Sequence, residues 1–275
     1  MRFLFIGDIV GRPGRDFVVR AVAGLVARHQ LDLVIANAEN AAGGSGLTPL
    51  IYRDLIAAGV DAITLGDHVY RRKEIHSVLQ TEDNIVRPAN LPEEAVGRQW
   101  TVVVARDGTQ VGIFCILGQL FMKPADNPWR CADRILAEIP SDVHVRFLDF
   151  HAEATSEAQL MGRYLDGKVA AVLGTHTHVP TADESVLPAG TAFQADVGMT
   201  GPYDSILGRR VDRVMETTLT ANPTQFEVAS KDVRLGGTIV EVDAETGLAT
   251  AIERLCVTEQ ELPELEMLAA DAARD

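Results

Sequence analysis

Cysteine is scarce in this chain: Cys115, Cys131 and Cys256 are the only three, and no two stand in CxxC spacing. That argues against a paired or metal-holding role, and their apolar neighbours mark them as reduced core thiols. Basic charge is short as well. Twenty-five Lys and Arg against 39 Asp and Glu leave a net charge of −14, a field that repels a polyanion such as duplex DNA or structured RNA. Small anions remain admissible if a metal supplies local positive charge. No segment approaches the ~20 consecutive apolar residues of a membrane span, and MRFLFIGDIVGRPGR lacks the apolar run and cleavage site of a secretory signal, so a cytoplasmic location is expected. No tract rich in Pro, Gly or Ser divides the chain, which reads as one large domain over residues 1–257. The acidic stretch 258–275, alternating with Leu and Ala, reads as a C-terminal tail, a solvated helix or frayed end.

What is present is an alternation of short Val, Ile and Phe runs with helical patterns, the signature of βαβ units and a largely parallel sheet. Strands are expected at Arg2–Gly7, Leu31–Ala36, Asp61–Leu65, Val143–Phe150 and Val169–Leu173. Helices are expected at Gly14–Arg28, Thr48–Ala58, Arg71–Gln80 and Ala154–Leu165. Trp100–Ala105 and Val111–Leu117, joined by Asp107-Gly108, read as a hairpin. Later runs at Thr191–Ala195, Phe226–Val228, Gly237–Val242 and Thr250–Leu255 have no helical pattern between them and suggest a second, more antiparallel sheet.

The segments just after the parallel strands carry GDIVG with Asp8, NAEN with Glu39 and Asn40, GDH with Asp67 and His68, HAE with His151, and GTHTH with His176 and His178. Ligands of open α/β sheets bind beyond the carboxyl ends of the strands, so these five loops are expected to converge. Singly each has an ordinary reading: an Asp after a strand is a common helix cap, and a loop His is usually hydrogen-bonded at the surface. His29, His76 and His144 fall on predicted helices and a strand and need no function. His176 and His178, two apart in a segment read as extended, would point the same way, toward neighbouring metal ions. Asp8, Glu39 and Asp67 repel one another if brought together without cations between them. GDIVGRPGR lacks the GK[ST] ending of a P-loop and reads as a turn and helix start. Gly43, Gly44 and Gly46 are expected to shape a loop around the metal site, and Asp196–Tyr203 to wall a pocket or form an interface.

The ordered set GDIVG, NAEN, GDH, HAEATSE and GTHTHVPTAD, with DVGMTGP following, resembles the calcineurin-like metallophosphoesterases, and within them the bacterial YmdB-like cyclic-nucleotide phosphodiesterases. The resemblance covers most of the chain. It implies a layered α/β/β/α sandwich of two mixed sheets with a metal site at strand carboxyl ends. It further implies that Asp8, Glu39, Asn40 and His178 hold one metal, that Glu39 bridges to a second completed by Asp67, His151 and His176, and that His68 is the proton donor. Its cofactors would be two divalent ions, iron or manganese, and its substrates small cyclic nucleotides such as 2′,3′-cyclic AMP. The pattern differs at Asp67, where the family usually has Asn, so that three carboxylates face two divalent cations and the site is expected to polarise phosphate less.

Such a pair of ions can ready a bridging hydroxide for in-line attack with no covalent intermediate, while His68 protonates the leaving ribose oxygen. A nucleotide or phosphoprotein phosphomonoesterase uses the same kind of site, and a regulatory metal-binding protein with incidental turnover is the alternative outside catalysis. A homo-oligomer is compatible with the sequence.

Overall fold

The computed structural model describes residues 1–274. The chain opens with β1 (Arg2–Ile6), β2 (Asp8–Ile9), α1 (Gly11–His29), β3 (Leu33–Asn37), α2 (Pro49–Ala57), β4 (Ala62–Thr64), α3 (Ile75–Thr81) and β5 (Ile85–Val86). Its middle holds β6 (Trp100–Val104), β7 (Gln110–Leu117), α4 (Pro128–Glu138), β8 (Val145–His151), α5 (Thr155–Tyr164) and β9 (Ala171–Thr175). It continues with β10 (Ser185–Val186), β11 (Ala192–Gln194), β12 (Met199–Pro202), α6 (Val211–Thr220), β13 (Val233–Asp243) and β14 (Leu248–Thr258), then a 3-10 turn at Glu259–Glu261 and α7 (Leu262–Ala272).

Two mixed sheets stack face to face between helices, the expected sandwich. One runs β2-β12-β13-β1-β3-β4-β5 with β14 on β13, and the other runs β10-β11-β9-β8-β7-β6. The RFLFI sequence of β1 shows why the layers form. Leu4 and Ile6 are buried with Val18, Val22 and Leu25 of α1 on the outer face, while Phe3 and Phe5 point between the sheets, with ring centroids 5.5 and 4.8 Å from that of Phe147 in β8. A strand covered on both faces reads as a continuous apolar run, as parallel strands do. α4 and α5 cover the far face of the second sheet through Ile135 and Met161.

Within each sheet, the strands that lead to the chemistry are parallel neighbours. β1, β3 and β4 pair in parallel, as do β7, β8 and β9. Their carboxyl ends lie along one edge of each layer, and the loops from both layers meet there.

Several expectations are corrected. The late strands form no sheet of their own: β11 adds in parallel to β9, while β13 pairs antiparallel with β1 and with β14, extending the first sheet. Long hairpin strands with one bare edge are stabilised by joining an existing sheet, and no local pattern reveals which edge. Phe226–Val228 is no strand, contributing a single bridge between Val228 and Arg209. α4 and α6 have no counterpart among the expected helices, although Asn127 caps α4 by accepting from the Arg130 N–H (3.0 Å) and Pro128 occupies its first turn, a legible start signal. Cys115 and Cys131 are buried thiols, whereas Cys256 is exposed, because its side of β14 is not covered. His144 precedes β8 and is exposed. Asp196–Pro202 is buried, and Met199–Pro202 forms a strand that pairs with β2 and β13. The acidic C-terminal segment packs its α7 on α1, burying Leu262 and Leu265, and Gly24 admits the Leu265 backbone where a Cβ would stand 2.2 Å from its carbonyl oxygen. Among the described residues, no helix is long and apolar enough to cross a membrane.

Candidate metal centre and active site

The start of β2 and the loops after β3 and β4 bring Asp8, Glu39, Asn40, Asp67 and His68 to the shared edge, and β8 and the loop after β9 bring His151, His176 and His178. All eight residues singled out in the sequence converge. Glu39 lies at the centre, 1% exposed. Its Oε1 is 3.3 Å from Asn40 Nδ2 and 3.3 Å from His151 Nε2, and its Oε2 accepts from the His68 backbone N–H at 2.8 Å. On one side of it, Asn40 Nδ2 also faces Asp8 Oδ1 (3.2 Å) and His178 Nε2 (3.2 Å). On the other side, Glu39, Asp67, His151 and His176 each offer a ligand atom within 4.8 Å of the others.

The residues fit metal ions. Asp67 Oδ1 is buried without a hydrogen-bond partner, although it lies 3.6 Å from His151 Nε2 and 3.8 Å from His176 Nδ1. An orphaned carboxylate oxygen among imidazoles is costly unless a cation fills the gap. The three histidines that face the cluster each have their second ring nitrogen held by an acceptor, which sets the tautomer and leaves the first nitrogen free to ligate. His151 Nδ1 meets Thr175 Oγ1 at 2.8 Å, His178 Nδ1 meets the Leu207 carbonyl at 3.1 Å, and His176 Nε2 meets Glu153 Oε2 at 3.2 Å.

Behind His151 runs a buried relay that the motifs do not announce. Thr175 Oγ1 donates to Asp149 Oδ1 (2.6 Å), whose Oδ2 accepts from Thr64 Oγ1 (2.6 Å) and Asn37 Nδ2 (3.0 Å). Asn37 Oδ1 in turn accepts the Glu39 N–H at 3.1 Å. One buried carboxylate thus ties β3, β4, β8 and β9 together behind the site. A signal for it exists: Asp149 is an acid inside the apolar strand VRFLDFH, two residues before His151 and so on the same face. Thr175→Val keeps the shape and removes the link, so affinity for the ion at His151 is expected to fall about 10–100-fold, as read by chelator competition; unchanged affinity would remove the relay's role.

His176 and His178 converge for another reason than the one expected. Both sit at positive φ, 108° and 66°, so the segment is a strained turn that aims them at opposite sides of Glu39, not an extended piece with parallel side chains. Asp196 holds that turn, accepting from the Thr177 N–H (2.8 Å), Thr177 Oγ1 (2.8 Å) and the Gly198 N–H (2.7 Å). Gly43, Gly44 and Gly46 all have positive φ and carry the loop around Glu39 as expected; Arg209 donates to the Gly43 carbonyl (3.2 Å) and braces it. Lys123 is a further residue that no motif flags, because it lies on the β7–α4 loop with no distinguishing pattern around it. Its ammonium is 2.8 Å from Asp67 Oδ2 and restores one positive charge beside that extra carboxylate, which offsets the weaker phosphate polarisation expected from Asp at this position.

Electrostatics follow from the crowding. Burial would raise Glu39, yet His151 and His68 hold it well below the usual carboxylate range. Burial and the charge of Glu39 likewise oppose ionisation of Asp67, which the adjacent His151 and the Lys123 ammonium bring down. Burial would lower His151, but Glu39 and Asp67 raise it well above the usual imidazole value, while burial and His151 lower His176. Burial pushes Asp149 up to about 6, against the opposing pull of His151 and its hydrogen bonds. Burial and the nearby Asp8 push Asp196 up to about 8. Glu39 and Asp67 thus favour the charged form of His151.

The three raised groups, Asp149, Asp196 and His151, act on stability with one sign. A carboxyl raised in the fold loses stability as pH rises from its unfolded value to its folded one, and a raised His loses its contribution as pH rises through its folded pKa. The ion-free chain is expected to lose thermal stability as pH rises from about 4 to about 8, the window of the Asp149 and Asp196 shifts, and saturating divalent ion to remove the His151 contribution by competing with its proton. Melting curves with chelator and with metal check this; identical slopes would contradict it.

Comparison with known proteins agrees with this site. The YmdB-like protein family model matches residues 4–255. The chain is 45% identical over 262 residues to a 2′,3′-cyclic-nucleotide 2′-phosphodiesterase of Bacillus subtilis, covering 95% of this chain and 99% of that protein. It is 33% identical over 267 residues to a putative phosphatase/phosphodiesterase of Mycoplasma pneumoniae, covering 95% and 94%. A crystal structure of a hypothetical protein from Thermus thermophilus superposes with a TM-score of 0.88 at 42% identity, covering 94% of this chain and all of that one. With the fold, the clustered site and nearly the whole length in agreement, the chain belongs to the YmdB-like family and has the calcineurin-like metallophosphoesterase fold.

Proposed function

We propose that this protein is a metal-dependent phosphodiesterase that hydrolyses small cyclic nucleotides. The observation that carries the reading is the position of Glu39, one buried carboxylate shared between an Asp8, Asn40 and His178 group and an Asp67, His151 and His176 group. In this reading the first group with Glu39 holds one divalent ion and the second group with Glu39 holds another. Imidazole and carboxylate donors without thiolate suit iron or manganese. When bound, such ions supply Lewis acidity toward phosphate oxygens and ready water as a nucleophile.

The chain's own residues do the rest. Asn40 Nδ2 stands among three acceptors, the place of a cation, and only the amide oxygen can ligate one. Turning the amide by half a rotation puts Oδ1 toward that position and presents Nδ2 to His68 Nδ1, which now lies 2.8 Å from Oδ1. His68 then keeps its proton on Nε2. Unlike the three ligand histidines it has no acceptor fixing that nitrogen closer than Asp67 Oδ2 at 3.9 Å, and it is free to protonate a leaving ribose oxygen.

The net charge of −14 favours a small diester over duplex nucleic acid, and we place its action in the cytoplasm. The relative's name supports a cyclic diester over a monoester. A turnover screen at measured metal content should show 2′,3′-cyclic nucleotides hydrolysed faster than 3′,5′-cyclic nucleotides and nucleoside monophosphates. Turnover of the monophosphates alone would replace this reading with a phosphomonoesterase.

A further inference from the structure

A cavity of about 510 Å³ adjoins the cluster, and Asp67 and Lys123 line it at the junction. Apart from Glu94, its other walls are apolar, among them Val69, Leu91, Pro92, Ala95, Leu117 and the ring of Tyr70. Neither ligating an ion nor protonating a leaving group requires an apolar hollow at this point. We propose that it is the nucleobase subsite, receiving the base of the substrate while the phosphate lies at the cluster; this rests on the phosphodiesterase reading above.

Size and chemistry suit a heterocycle. Small-ligand sites are concave, about 300–1,000 Å³, mostly apolar with a few polar groups, and a base presents two apolar faces and a polar edge. Glu94, exposed at the rim, is in its ionised form an acceptor without a donor and so favours an edge bearing N–H donors. The walls are also preformed. The Tyr70 hydroxyl donates to the Val96 carbonyl at 2.6 Å, fixing the ring. Arg87 is 1% exposed, and its guanidinium donates to the carbonyls of Pro88 (2.8 Å), Ala95 (3.1 Å) and Pro92 (3.2 Å). A buried charge satisfied by main-chain oxygens pins the loop that forms one wall, although Arg87 touches nothing in the cluster. Such fixing reduces the ordering cost of binding.

The test compares a 2′,3′-cyclic nucleotide with glycerol 1,2-cyclic phosphate, which has the same five-membered cyclic diester and no base. Ala95→Phe fills the cavity. It is expected to raise KM for the nucleotide about tenfold, lower the nucleotide-to-glycerol ratio of kcat/KM by a similar factor, and weaken calorimetric binding of a nucleoside 3′-monophosphate to the metal-loaded protein. Leu91→Ala, which removes wall area and leaves the backbone in place, should shift the same ratio in the same direction. An equal effect on both esters, or an unchanged ratio in both variants, would overturn the base subsite and leave the phosphodiesterase reading standing. Hydrolysis of neither ester by the unaltered protein would overturn that reading and the subsite with it.

Discussion

Replacing His68 by Ala is expected to slow hydrolysis of a 2′,3′-cyclic nucleotide by about 10²–10⁴-fold, the usual worth of a positioned acid, and to leave a nitrophenyl phosphodiester nearly unaffected. A ribose alkoxide needs a proton as its bond breaks, whereas nitrophenolate leaves as a stable anion. The geometry makes the comparison clean. His68 is tied to the cluster through its backbone N–H on Glu39 Oε2 (2.8 Å) and its Nδ1 at Asn40 Oδ1 (2.8 Å). Loss of the ring therefore keeps the backbone tie to Glu39. Both substrates need the same ions, so damage to the site cancels in their ratio. Equal losses on the two would assign His68 a supporting role for Asp67 and Asn40 and remove it as the acid.

The second large effect falls on Glu39. Glu39→Gln keeps the volume but removes the charge between the two ligand groups, and both ions are expected to lose tight binding. The amide would also set N–H donors against His151 Nε2 or the His68 N–H in a site that leaves Glu39 only 1% exposed. Metal analysis after gel filtration gives the answer directly: two retained ions per chain would exclude the bridging position. Loss of one only would confine Glu39 to that ion's group.

The parts legible in the sequence are those with local causes. Each ligand motif follows a parallel strand, and its polar letters interrupt apolar runs such as LFIGD and LVIAN, so Asp8, Glu39, Asn40, Asp67, His68, His151, His176 and His178 stand out from their neighbours in the chain. The parts that are not legible depend on distant partners. Lys123 lies 56 residues from the Asp67 carboxylate it meets, and Asp149 draws hydrogen bonds from β3, β4 and β9 at once. α6 buries no residue, yet Val211, Val214, Met215 and Leu219 recur at helical spacing, a signal the sequence does carry.

By itself the sequence determined the alternation of strand and helix and the strand ends at which the candidate metal-binding residues stand. Periodicity and residue chemistry are properties of a single stretch of chain. Only the tertiary structure decided that β13 and β14 complete the first sheet, that a strained turn held by Asp196 aims His176 and His178 to opposite sides of Glu39, and that Lys123 balances Asp67. Those outcomes rest on which edges pair and which charges end up adjacent, and both are set by packing across the whole molecule.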